Sequence, residues 1–277
     1  MIEQRAQTLF QQGKLKSDLC HSIGRDASAV AFTIDLRPED ALCLWNGDLV
    51  PAFVKGAALE DWFRAFAATR NIDHQKESPS QHDGFRRLNI VSSSTAPEQI
   101  GAIRELALAA RHNDSRTVIV VFPAPRPQLR SRWEAAMKLA GSRALPVVFV
   151  VRGVWNPDEG PGEQEALRNG IPAISVDGGD AVAAYRVACE AISRARQRRG
   201  PTLVKCVADS ETRTASPEAD RIHLQTEGQV TPDPGLAMSA YLKRKGLWNE
   251  EGFRQTVADI ERELDLATRF LDEKSKP

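Results

Sequence analysis

Apolar positions along the chain follow two rhythms. RTVIVVF (116–122) and LPVVFVV (145–151) are short, nearly unbroken apolar runs rich in β-branched residues, the pattern of strands covered on both faces. Between them lie the turn PAPRP and the helical spacing of QLRSRWEAAMKLAGSR. Strand, helix and strand in that order predict a parallel βαβ unit. GIPAISVDGGDAVAAYRVACEAISRARQRRGPTLVKCV (170–207) repeats the order. Asp180 is placed to cap its helix, and Val182, Tyr185, Val187, Cys189 and Ile192 are expected to include its buried face.

Helical spacing recurs elsewhere. IEQRAQTLFQQGKL (2–15) carries it, with Gly13 as a stop. ALEDWFRAFAAT (58–69) is amphipathic, with Leu59, Trp62, Phe63 and Phe66 on one face. Small residues at 27–31 suit a closely packed helix, and an apolar stretch ends at Trp45. EQIGAIRELALAARHND (98–114) leads as a helix into the central βαβ unit. Near the end, Phe253, Val257, Ile260, Leu264, Ala267 and Leu271 recur at intervals of four and three behind the cap Asn249. That predicts a helix over about 249–273, packing on its own domain or on another subunit. Two polar segments, about 70–97 and 208–234, read as long loops. The pattern predicts one α/β domain over residues 1–277, a three-layer α/β/α arrangement around a mainly parallel sheet.

Composition narrows the function classes. Lys and Arg number 37 against 37 Asp and Glu, which argues against a general nucleic-acid or polyanion binder. No apolar run is long enough to span a membrane, and no basic-then-apolar leader opens the chain. Cys20, Cys43, Cys189 and Cys206 are scattered and read as reduced thiols of a cytoplasmic protein. His74 and His82 lack carboxylates or thiols at ligand spacing and read as solvated, so no metal site is expected.

In parallel sheets ligands gather at the carboxyl ends of the strands, here PAPRP and RGVWNPDEG. Neither turn carries a nucleophile elbow, an HExxH pair, paired carboxylates or a phosphate-binding glycine loop. No catalytic residue is nominated. Around them the sequence is basic, with Arg126, Arg130, Arg132, Lys138, Arg143 and Arg152. Two readings stand: an anion site in which guanidinium replaces a metal, or a solvated helix face with Trp133 turned inward. Arg194, Arg196, Arg198 and Arg199 end a helix, where cations complement the dipole.

Several stretches resemble one family. RAQTLFQQGKLKSDLCHSIGRDASAVAFTIDLRPED, the segment 170–207 and AYLKRKGLWNEEGFRQTVADIERELDLA are similar, in order, to the alpha subunit of thiamine-diphosphate-dependent 2-oxo acid dehydrogenases. These are the first components of the pyruvate and branched-chain complexes. The resemblance implies the thiamine-diphosphate-binding fold, an active site shared with a beta-type subunit, and a cofactor held through magnesium. It also implies where the ligands belong, and those positions are altered. The Gly-Asp-Gly after the first strand falls on Pro123, Ala124 and Pro125. Ala124 has no oxygen for magnesium, and prolines lack the amides of a phosphate cradle. The metal-binding Asn falls on Arg152, Gly153 or Val154, with Asn156 slightly beyond. The family's early His reads Arg25, and its Tyr-Arg pair reads Asn46 and Gly47. The glycine-rich turn reads Ser92, Ser93 and Ser94. The His-Ser pair of the phosphorylation-type loop has only Thr214 and Ala215 nearby. Each lost charged contact removes about 1.5–3 kcal/mol, so neither thiamine diphosphate nor Mg is expected to bind. Arg25, Asn46, Gly47, Ala124, Arg152 and Gly153 read as vestigial cofactor positions. The expectation is a catalytically degenerate, scaffolding or regulatory relative, a homo-oligomer or a hetero-oligomer with a beta-type dehydrogenase subunit. The alternative is an active subunit with an atypical cofactor site, thiamine diphosphate and Mg, and a beta-type partner.

Overall fold

The computed structural model describes residues 1–15, 26–45, 48–67, 83–93, 96–112, 116–123, 130–152, 162–207 and 234–273. Its centre is a six-stranded sheet in the order β2-β1-β3-β4-β6-β5. The strands are β1 (Ala41–Trp45), β2 (Ile90–Ser93), β3 (Ile119–Val121), β4 (Val147–Arg152), β5 (Ala173–Asp177) and β6 (Thr202–Val207). Every pairing is parallel.

Alternate residues of the same strands feed two cores. Leu42, Leu44, Val120, Val148, Val150 and Val204 point to one face. Cys43, Ile119, Val121, Val147, Phe149 and Val151 point to the other. The first face is covered by α1 (Ile2–Gln11), α2 (Asp26–Ala31), α3 (Leu49–Val54), α4 (Leu59–Phe66), α9 (Ala181–Arg196) and the end of α11 (Glu250–Glu273). The second carries α6 (Ala96–His112), α7 (Arg130–Ser142) and α8 (Glu163–Arg168). The result is the expected three-layer α/β/α arrangement. Two further helices, α5 (Asp83–Arg87) and α10 (Pro234–Arg244), precede β2 and α11.

Several local expectations hold. Asp180 accepts hydrogen bonds from the Val182 and Ala183 amides at 2.9 and 3.0 Å. Asn249 Oδ1 accepts from the Gly252 amide at 3.0 Å. Gly13 sits at φ 70 just beyond α1, where a side chain would be strained. Leu59, Trp62, Phe63 and Phe66 are all buried on α4.

Others are corrected. The segment read as a loop over 70–97 contains α5 and β2; Ile90 is buried and pairs with Leu42. Its strand signal was short because Ser92 and Ser93 complete an edge strand beside β1. On α9, Tyr185 and Cys189 are exposed, and the buried face is Ala184, Ala188, Ala191, Ile192 and Ala195. Small side chains win there because α9 packs directly on α2, whose Ala27, Ala29 and Ala31 are also buried. On α11 only the distal part of the repeat is buried, at Leu264, Ala267 and Leu271, while Phe253 is exposed.

Candidate functional site

Strand order reverses between β1 and β3. The chain leaves β1 toward β2 on one side, then returns across to β3 on the other. Such a switch point leaves a crevice at the carboxyl ends, the ordinary ligand position in open parallel sheets. Asp48, just past β1, is on one side of it. Phe122, just past β3, is on the other. Arg152 ends β4, and Cys206 lies opposite it in register on β6.

These four residues meet. Arg152 Nη2 donates to Asp48 Oδ2, and the side chains are only 12% and 2% exposed. The guanidinium lies over the Phe122 ring, 4.3 Å from its centroid, a cation–π contact strengthened by burial. Gln99 Nε2, reaching from α6, donates to the Phe122 carbonyl at 2.8 Å and fixes the exit of β3. Arg152 Nη1 is buried without a hydrogen-bond partner among the described residues. Burial pushes the Cys206 thiol up to about 12, against the opposing influence of the Arg152 charge and a hydrogen bond with Ser28. The crevice floor therefore holds a buried thiol beside a buried ion pair.

Of the vestigial positions, Arg152 is the one the structure describes. Arg25, Asn46, Gly47, Ala124 and Gly153 lie outside the described residues, as do Pro125, Val154, Asn156, Ser94, Thr214, Ala215, His74 and His82. Pro123 is buried just past β3, and Ser92 and Ser93 are buried at the end of β2. Of the basic cluster's described side chains, Arg152 lies at the crevice and the others do not line it with an ion pair. Arg132 and Lys138 are exposed on α7 and Arg143 just beyond it, while Trp133, Met137 and Ala140 face the core. Arg126 and the Arg130 side chain lie outside the described residues. Sequence reasoning missed Asp48, Phe122 and Cys206. Asp48 precedes a helix and reads locally as a cap; nothing near it in sequence announces an arginine 104 residues away.

These residues do not fit a magnesium-bound diphosphate. Such a metal wants several oxygen ligands at short range. At the β4 end the crevice offers a cationic guanidinium, which repels a divalent cation. Among the described residues the carboxylate at the crevice is Asp48, already engaged by that guanidinium. The β3 exit presents a phenyl ring and then a proline without an amide proton.

The model of the Dehydrogenase E1 component family matches residues 1–277. The chain belongs to that family. A pyruvate dehydrogenase E1 component subunit alpha of Bacillus subtilis (strain 168) is 24% identical over 295 residues, covering 100% of this chain and 76% of that protein. A protein of the same name from Staphylococcus epidermidis is 24% identical over 297 residues, with the same coverage. The Bacillus cereus protein of that name is 23% identical over 295 residues. A solved structure from Mycobacterium smegmatis, assigned as a thiamin diphosphate-dependent enzyme, is 15% identical with a TM-score of 0.42. It is matched over 66% of this chain and 31% of its own. This member of the E1 family has a parallel α/β sheet with a buried Arg–Asp pair at the switch point.

Proposed function

We propose that this E1-family chain is a catalytically degenerate, alpha-subunit-like protein. Its role is scaffolding or regulatory, carried by a retained fold and a retained surface for a beta-type dehydrogenase subunit or a second copy. In this reading the whole of residues 1–277 forms one dehydrogenase-alpha-like domain, working in the cytoplasm. The observation that carries the proposal is the Arg152–Asp48 pair lying across Phe122. It takes the space and the charge that a metal-bound diphosphate requires. Among the described residues no helix is long and apolar enough to cross a membrane.

Co-expression with the beta-type subunit of a relative tests the reading. The account expects a complex on size-exclusion chromatography and no 2-oxo-acid-dependent reduction of an artificial electron acceptor above background. Turnover that requires added thiamine diphosphate and magnesium would overturn it and establish the alternative, an active subunit with an atypical cofactor site. Failure of the two chains to associate would remove the scaffolding role.

A further inference from the structure

The amino edge of the sheet, opposite the switch-point crevice, holds a second assembly of charge. Helices in a parallel α/β layer run against the strands, so α6, α7 and α9 all end at this edge. Arg111 closes α6, Arg143 follows α7, and Arg194 and Arg196 lie in the last turn of α9. Arg116 precedes β3, and Arg198 and Arg199 precede β6. Two cavities meet here. One of about 560 Å³ is lined by Arg116, Ser193, Arg196, Gln197 and Arg198. The other, about 410 Å³, is lined by Ala110, Arg111, Ala144, Pro146 and Arg198. Arg198 is common to both.

The arginines differ in how their charge is met. Arg196 is neutralised by buried Asp40, with bonds of 3.0 and 2.7 Å. Arg111 and Arg194 donate to the carbonyls of Arg143 and Arg199, which satisfies protons without cancelling charge. The guanidinium groups of Arg116, Arg143 and Arg199 have no acidic partner among the described residues. Helix dipoles account for part of this: each C-terminus carries about half a negative charge. Three such ends offset less than two of the guanidiniums, and Arg116 and Arg199 belong to no helix. Among the described residues of this edge the named arginines outnumber the carboxylate that pairs with them, Asp40.

We propose that this edge is a binding site for a small, multiply charged phosphate ligand, an oligophosphate or a phosphate ester, distinct from the switch-point crevice. The cavity size is that of a small-molecule site. Planar guanidinium groups suit phosphate oxygens through paired donors. Asp40 holds Arg196 in place, so part of the wall is fixed before a ligand arrives.

Sodium pyrophosphate, in EDTA and at constant ionic strength, is the probe for calorimetric titration. The wild-type chain is expected to show saturable binding. Arg116→Gln with Arg198→Gln should weaken it about tenfold or more, since a charged hydrogen-bond donor is lost at each position. Arg116→Lys with Arg198→Lys, which preserves charge and removes the fork, should give an intermediate loss and serves if the Gln pair does not fold. Arg254→Gln, exposed on α11, should change nothing. Absence of saturable wild-type binding overturns the proposal. So does unchanged affinity in both double variants, which would place pyrophosphate elsewhere, including the crevice. Equal loss in Arg254→Gln would reduce the effect to general charge. Displacement of pyrophosphate by polyglutamate bound more tightly would reassign the edge to an acidic protein segment.

Discussion

Each edge of the sheet holds a buried Arg–Asp pair, and the two pairs are built differently. At the amino edge Asp40 is fully buried and fully satisfied. Its Oδ1 accepts from the Val118 amide at 2.8 Å and from Arg196 at 3.0 Å. Its Oδ2 accepts from the Arg37 amide at 2.8 Å and from Arg196 at 2.7 Å. Arg196 also donates to the Arg116 carbonyl at 3.1 Å. One carboxylate thus joins the turn before β1, the entry to β3 and the end of α9. At the carboxyl edge Arg152 gives one nitrogen to Asp48 and leaves Nη1 buried and, among the described residues, unpartnered. A buried polar network stabilises only when its members are satisfied. The amino-edge pair is architectural; the carboxyl-edge pair lies at the switch point with Arg152 Nη1 unpartnered among the described residues.

Mutation separates the two cases. Asp40→Ala strands two amides and a guanidinium, and urea unfolding should show a loss of about 3–5 kcal/mol. Asp48→Ala should cost less, about 1–3 kcal/mol, because Arg152 keeps its contact with the Phe122 ring. Equal losses would erase the distinction. Replacing each pair by apolar residues sharpens it. Asp48→Leu with Arg152→Met should be close to neutral or stabilising. Asp40→Leu with Arg196→Met should remain strongly destabilising, since the Arg37 and Val118 amides still lose their acceptor.

The buried thiols have their own signature. Burial pushes both Cys43 and Cys206 up to about 12. Between an unfolded thiol value of about 8.5 and the folded value, the native state binds more protons than the unfolded one. Stability should therefore fall as pH rises from about 9 toward 12, by up to about 1.4 kcal/mol per pH unit for each thiol. Native protein at pH 8 should show Cys189 reacting with a thiol reagent while Cys43 and Cys206 react only on unfolding. Rapid native labelling of Cys206 would mean that water enters beneath Arg152. The smallest effects lie at the helix caps, away from either edge's ion pair. Asp180→Ala should cost about 1 kcal/mol, and Asn249→Ala less, since the first half of α11 is largely exposed and its fraying disturbs little of the core.

The sequence rhythm carried the sheet and its covering helices because strands buried on both faces leave unbroken apolar runs, as in RTVIVVF and LPVVFVV. It failed where the physical signal is weak. β2 has Ile90 and Val91 followed by serines, too short to stand out from a polar segment. On α9 the alanines were outvoted by larger residues that face solvent, because close approach to α2 selects for smallness and not for hydrophobicity. At the candidate site, the resemblance located Arg152. Its partner Asp48 was not legible, since an ion pair joining the ends of two strands leaves no local pattern. Asp40 was hidden for the same reason, in a turn that reads only as R-P-E-D.

The central claim is that the Arg152–Asp48 pair has taken the place of the cofactor in this member of the E1 family. Calorimetric titration of the chain with thiamine diphosphate and magnesium, alone and with a beta-type subunit present, tests it most directly. The account predicts no saturable heat up to a ligand concentration of about 1 mM. Saturable, magnesium-dependent binding in the micromolar range would contradict it.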